Sequence, residues 1–155
     1  MASLIYNGAK HKMWSHATLN IDLLADTIKC MLVNNLYAAN ADNTFADVGG
    51  ANDPIDREIN VTGYTRGFGG AGRKSLASKA VTQNDTDNRA EFDAADLTWT
   101  ALGIGETIQA AMLIKEITND AATPLIAYID FGTGVPTNGG DITIQWGATG
   151  ILHLT

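Results

Sequence analysis

Cysteine occurs once in the 155-residue chain, at Cys30, so no intrachain disulfide can form. That thiol stands inside the apolar run Thr27–Val33, where its expected role is a small core hydrophobe. Histidine is limited to His11, His16 and His153, with no cysteine nearby and no ligand spacing, so no metal site is expected. None of Ser3, Ser15, Ser75 and Ser78 lies in a nucleophile elbow, which leaves a hydrolytic triad without support. Basic charge is scarce too: 10 lysines and arginines face 17 acids, for a net charge of −7. A binder of nucleic-acid phosphates needs a basic stripe, so no nucleic-acid partner is expected. No segment is apolar for long enough to cross a bilayer as a helix. MASLIYNGAKHKMWSHATLN lacks the continuous apolar core of a signal peptide, and the expectation is a chain that folds in a cytoplasm, away from membranes. Proline is rare as well, three residues against sixteen glycines, a balance that favours tight turns and an all-β chain over a helix bundle.

What is present is alternation. A length of 155 residues fits one domain with a core that needs no staple. Residues 1–16 have no clean period and read as an N-terminal arm or a loosely paired first strand. Residues 17–155 read as a single β-sandwich domain. Leu19, Ile21 and Leu23 alternate, then Ile28, Cys30 and Leu32. Helical spacing of Leu23, Leu24, Ile28 and Met31 is the rival reading of that stretch. Leu97 with Trp99, and Ile108 with Ala110, Met112 and Ile114, continue the two-residue period. Pro124–Thr155 adds three more runs: Leu125 to Phe131, Ile142 to Trp146, and Ile151 to Leu154. Successive strand side chains point to opposite faces, so this period marks half-buried strands. The expected core is Leu19, Ile21, Ile28, Cys30, Leu32, Phe92, Trp99, Met112, Ile114, Ile126, Tyr128, Ile144, Trp146 and Leu152. The expected fold is an all-β, antiparallel β-sandwich, jelly-roll-like, with one short helix near Asp53–Ile59. There Asp53 can cap and Pro54 suits the first helical position.

Three stretches look chemical. Gly67, Gly69 and Gly72 satisfy G-x-G-x-x-G, but a dinucleotide site needs those glycines between a strand and a helix of a βαβ unit. Here a short helix precedes and a strand follows, so a flexible or sharply turning loop is expected, and no cofactor. Asp85-Thr86-Asp87-Asn88 carries oxygen ligands at alternate positions, yet lacks the next ligand and glycine of a calcium loop, and reads as a hairpin turn. Asp93 with Asp96 is a carboxylate pair of the kind a glycosidase uses, against a default of scattered surface acids. No catalytic residue is assigned.

Gly63-Tyr64, Asp87–Ala94, Asp96–Thr100, Pro124–Gly132, Asn138-Gly139, Asp141–Trp146 and Gly150–Leu152, taken in order and spacing, resemble a family of small bacteriophage virion proteins encoded among head and tail structural genes. The resemblance spans residues 63–155, and the run ATLNIDLLADTIKCMLV fits the family's opening strands. Two features depart from the family pattern. Gln109–Lys115 lacks the arginine and tyrosines of that strand, and Gly67–Gly72 is longer. The resemblance implies a non-enzymatic structural role in the virion: a capsid cement or decoration protein, assembled in the host cytoplasm. Its partners would be the major capsid protein and copies of itself, with a trimer favoured. A tail or tail-tip component, a carbohydrate-binding module or a carbohydrate-active enzyme on the same scaffold are the alternatives. Candidate contact residues are Tyr6, Lys10, Lys12, Met13 and Trp14 in the arm, Tyr37 and Phe45 in the loop Asn34–Asn52, and Tyr64, Arg66 and Phe68 in the glycine-rich loop.

Overall fold

A computed structural model describes residues 3–15, 19–50 and 52–154. In chain order the elements are β1 (Leu4–Ile5), α1 (Asn7–Trp14), β2 (Ile28–Asn34), α2 (Pro54–Arg57), β3 (Lys74–Ser75), β4 (Ala80–Asn84) and β5 (Arg89–Asp93). There follow β6 (Leu97–Trp99), β7 (Thr107–Lys115), a 3-10 turn at Asp120–Ala122, β8 (Leu125–Pro136), β9 (Ile142–Ile144) and β10 (Leu152–Leu154). The chain is mostly β, and every strand pair among the described residues is antiparallel. Three sheets result, ordered β1-β8-β7-β2-β3, β10-β5-β4 and β6-β9.

The five-stranded sheet is the centre because its inner strands are apolar on both faces. Directly opposed residues share a face, so Met31, Met112 and Tyr128 lie on one side, and Cys30, Leu113 and Ala127 on the other. All six are buried. On the first side the Tyr37 ring packs against Tyr128 at 5.7 Å between centroids, and the Tyr6 and Tyr37 hydroxyls bond at 2.9 Å. Loop 35–52 and the start of α1 therefore cover that face. On the second side Ile5, opposite Ala127, shares a small apolar cavity with Phe92 and Leu152 of the three-stranded sheet. Cys30 is a buried free thiol, and burial pushes its pKa up.

Four expectations need correction. Residues 7–14, read as arm or strand, form a two-turn helix whose stripe is Tyr6, Ala9 and Met13, with the first two fully buried. Leu19–Leu23 is no strand. The Asp22 carboxylate accepts the amides of Leu24 and Ala25, each at 2.9 Å, and folds the segment into a turn. Leu19 accordingly stays half-exposed, outside the core, and Trp146 only packs against it. The short helix starts at Pro54 as expected, but Asp53 does not cap it. Its Oδ2 instead accepts from Val48 N at 3.0 Å and Gly50 N at 2.8 Å, fastening the preceding loop. Ala17 and His16, the boundary between the two expected regions, lie outside the described residues.

Candidate functional site

The most organised polar chemistry surrounds Arg73, just ahead of β3. Its guanidinium grips Glu58 with two parallel bonds, Nε to Oε1 at 2.9 Å and Nη2 to Oε2 at 2.7 Å. Nη1 reaches Asp120 Oδ1 at 2.5 Å and lies 3.5 Å from Glu116 Oε1, while Lys29 pairs with the other Glu116 oxygen. Four segments meet here. Glu58 is set beside β2 by a bridge between its backbone and Val33. Asp120 opens the 3-10 turn, and Glu116 follows β7. The Arg73 and Glu58 side chains have no exposure. Burial works against the guanidinium's charge, but the Glu58 and Asp120 carboxylates outweigh it and hold its pKa above the ordinary arginine value.

The same carboxylates fasten the glycine-rich loop. Glu58 Oε2 accepts from Gly67 N at 2.9 Å, and Asp120 Oδ2 from Phe68 N at 3.0 Å. Tyr64 donates its hydroxyl to Glu58 Oε1 at 2.9 Å and accepts from Leu32 N at 3.0 Å. Burial first, then the Glu58 charge, pushes the Tyr64 phenol well above its usual pKa. The glycines serve geometry. Gly67 takes φ +87°, and a Cβ on Gly72 would sit 2.3 Å from the Tyr64 ring. The Gly72 carbonyl accepts the Trp99 indole N–H at 2.6 Å. With only antiparallel pairing among the described strands, these glycines form a clamped turn, the sharply turning rather than the flexible of the two expected loops.

Around this cluster sits an outward surface. Asp47 N bonds the Asp120 carbonyl, so the loop carrying Val48 lies beside the loop carrying Arg66 and Phe68. Val48 is 54 % and Phe68 44 % exposed, and Arg66 is exposed as well. Of the other candidates, Trp14 is 85 % exposed at the end of α1, Lys10 is exposed, and Met13 is half-buried. Lys12 lies over the half-buried Phe45 ring, 5.3 Å from its centroid. Tyr6, Tyr37 and Tyr64 are buried and bonded inside, so they are not surface contacts. Burial of Tyr64 also breaks up the aromatic trio Trp14, Tyr64 and Phe68 that a flat sugar-binding face would use.

The remaining chemical candidates resolve into local structure. Asn84 Oδ1 accepts from Asp87 N at 3.0 Å and Asn88 takes φ +52°, which makes 84–89 a hairpin turn. Asp96 accepts from Trp146 N at 3.0 Å. His11 is exposed, His153 bonds the Thr149 carbonyl at 2.7 Å, and His16 lies outside the described residues. Among the described residues no three histidine, cysteine or acidic side chains group as metal ligands. Sequence reasoning missed Glu58, Arg73, Glu116 and Asp120 altogether. Only Glu116 and Asp120 are near in sequence; the fold brings Glu58 and Arg73 to them from distant segments. Fold and site thus define an antiparallel β protein that presents two clamped loops. Comparison with protein-family models, curated proteins and solved structures finds no match to the chain.

Proposed function

We propose that this chain is a non-enzymatic virion structural protein, a capsid cement or decoration subunit that contacts the major capsid protein and copies of itself, with a trimer favoured. The observation that carries the reading is a pair of adjacent loops, one held by Arg73, Glu58 and Asp120 and the other by Asp53 and the Asp120 carbonyl, beneath an exposed Val48, Arg66 and Phe68. A shell-binding surface gains from being rigid before it docks, because less ordering entropy opposes binding. Covering the 44 % of Phe68 that is still exposed is worth about 1 kcal/mol, a share of the roughly 1.5–3 kcal/mol for burying such a side chain outright. The net charge of −7 suits a basic region of the shell. The finer architecture we propose is a jelly-roll-like sandwich. It is supported by a five-stranded sheet buried on both faces, with Phe92 and Leu152 of a second sheet beside Ile5.

Purified protein added to shells that lack it tests this reading. Val48→Ser, Arg66→Glu and Phe68→Ser should each lower occupancy while leaving the circular dichroism spectrum unchanged. Full occupancy by all three variants would remove this surface, and failure of the unaltered protein to bind any shell would remove the role. Truncating the first fourteen residues is a poor alternative, since it strips Tyr6 and Ala9 from the core.

A further inference from the structure

Among the described residues the strands that end a sheet are short, β4 excepted. β8 also runs past its two-residue partner β1, but that overhang, residues 129–136, holds the Asp130 charge, Pro136 and a register shift against β7. β1 and β3 have two residues each, and β6, β9 and β10 have three. β4 has five, Ala80-Val81-Thr82-Gln83-Asn84, and forms one edge of its sheet. Edge strands are ordinarily blunted by brevity, a proline, an inserted charge or a bulge. β4 contains no proline and no charge, and its five pairs with β5 run without a register shift. Ala80, Val81, Thr82 and Gln83 all keep exposed surface, and no strand pairs with the outer side of β4. The face carrying Val81 is continuous with Phe92 and Leu152 across the sheet, yet Val81 and Leu154 remain 47 % and 40 % exposed.

We propose that β4 pairs antiparallel with β4 of a second copy about a twofold axis centred on Thr82. This gives the homo-oligomeric part of the reading above a specific contact, and rests on that part alone. The pairing sets Thr82 opposite the second copy's Thr82, Val81 opposite its Gln83, and Ala80 opposite its Asn84. Directly opposed residues share a face, so the apolar faces of the two sheets fall on one side and a six-stranded sheet results. One step beyond the strand, Lys79 falls opposite the second copy's Asp85, and the axis repeats that pair at the other end. An ammonium has three donors, and the bond from Lys79 to the Asp26 carbonyl leaves it able to reach a carboxylate. This complementarity, opposite charges meeting at both ends in a single register, points to a second copy of this chain over an unrelated strand. A twofold joins two copies only, so the contact yields dimers, or pairs of trimers where trimers form.

Native mass measurement across a concentration series, with two variants, tests the pairing. Thr82 is exposed, so Thr82→Lys leaves the fold intact but sets like charges directly opposite each other. It should weaken the twofold association at least tenfold. Thr82→Cys should form a disulfide-linked pair on mild oxidation, since the Cα atoms of opposed residues stand about 4.5–5.5 Å apart and a disulfide bridges Cα atoms about 4.4–6.8 Å apart. Cys30 is buried and does not compete. Ala80→Cys, set opposite Asn84, should link far more slowly. An oligomer whose mass Thr82→Lys leaves unchanged, or equal linking by the two cysteine variants, overturns the edge pairing and leaves the homo-oligomer standing. A monomer at every concentration overturns both.

Discussion

Replacing Arg73 by methionine tests whether the buried ion cluster holds the glycine-rich loop. The substitution keeps an unbranched stem and removes the guanidinium that bonds both Glu58 and Asp120. Arg73 and Glu58 have fully buried side chains, and Asp120 is 8 % exposed. Removing one partner of a buried ion pair costs about 3–5 kcal/mol, because the other charge is left uncompensated. That is a large share of the roughly 5–15 kcal/mol by which domains are stable. For a chain of this length each kcal/mol moves the midpoint by about 2–4 °C, so Tm should fall by about 6–20 °C. Urea unfolding followed by tryptophan fluorescence gives the free energy, and amide exchange at Gly67 and Phe68 gives the local effect. Both amides bond the carboxylates that Arg73 neutralises, so their exchange should quicken more than that of β7. Combining Arg73→Met with Glu58→Gln should cost less than the sum of the two, by about 0.5–3 kcal/mol. A loss below about 1 kcal/mol, strict additivity, or unchanged exchange at both amides would refute the assignment of the cluster as the loop's anchor.

Two further predictions concern the tyrosines and Gly72. All four tyrosines titrate high. Burial is the first cause in each, joined by the Tyr37 phenol at Tyr6, by the Glu58 charge at Tyr64, and by the Asp130 charge at Tyr128, which is pushed up to about 12; at Tyr37, bonds from Tyr6 and Asn43 offset only part of it. Folded values above the unfolded one mean that this stabilisation is complete below about pH 10 and is lost as pH rises toward the folded pKa values. Phenolate absorbance should therefore appear together with unfolding above pH 10, and a tyrosine ionising near pH 10 in the folded protein would contradict it. Gly72→Ala drives a Cβ into the Tyr64 ring and should cost about 1–3 kcal/mol in urea unfolding; a neutral result would mean that the loop shifts freely.

Much of the fold was legible because the β pattern is strong where strands are buried. Leu97 and Trp99 are buried with Thr98 exposed between them, and the Asn84–Asn88 turn joins β4 to β5 as its composition implies. β7 shows where period two stops informing: Ala110, Ala111, Met112, Leu113 and Ile114 are all buried, since layers cover both of its faces. α1 escaped because its stripe of Tyr6, Ala9 and Met13 contains one small residue and sits among Lys10, His11 and Lys12. Leu19–Leu23 alternates correctly, but the Asp22 carboxylate accepts the amides of Leu24 and Ala25 that follow, and turns the chain there instead of letting it run on as a strand. The three buried tyrosines were misplaced for a related reason. A phenol is equally suited to a wet interface and to a buried hydrogen bond, and only the partner's location decides between them.

The ion cluster and the open edge represent two ways of handling polar groups, and their contrast bears on function. A buried ion pair adds little net stability over a well-packed apolar substitute, so stability is a weak reason for four charged side chains to converge around Arg73. Geometry is a better one. An apolar plug could fill that space, but it could not accept the amides of Gly67 and Phe68 or the hydroxyl of Tyr64, and those bonds fix where Phe68 and Arg66 emerge. β4 shows the reverse: a single inward-pointing charge would have closed it, and its five residues contain none. One surface is held in shape from beneath, and one edge keeps its backbone groups available. A subunit that must dock on a lattice and also meet its own kind requires both, whereas a chain that works alone has reason to blunt a regular, uncharged edge of this kind.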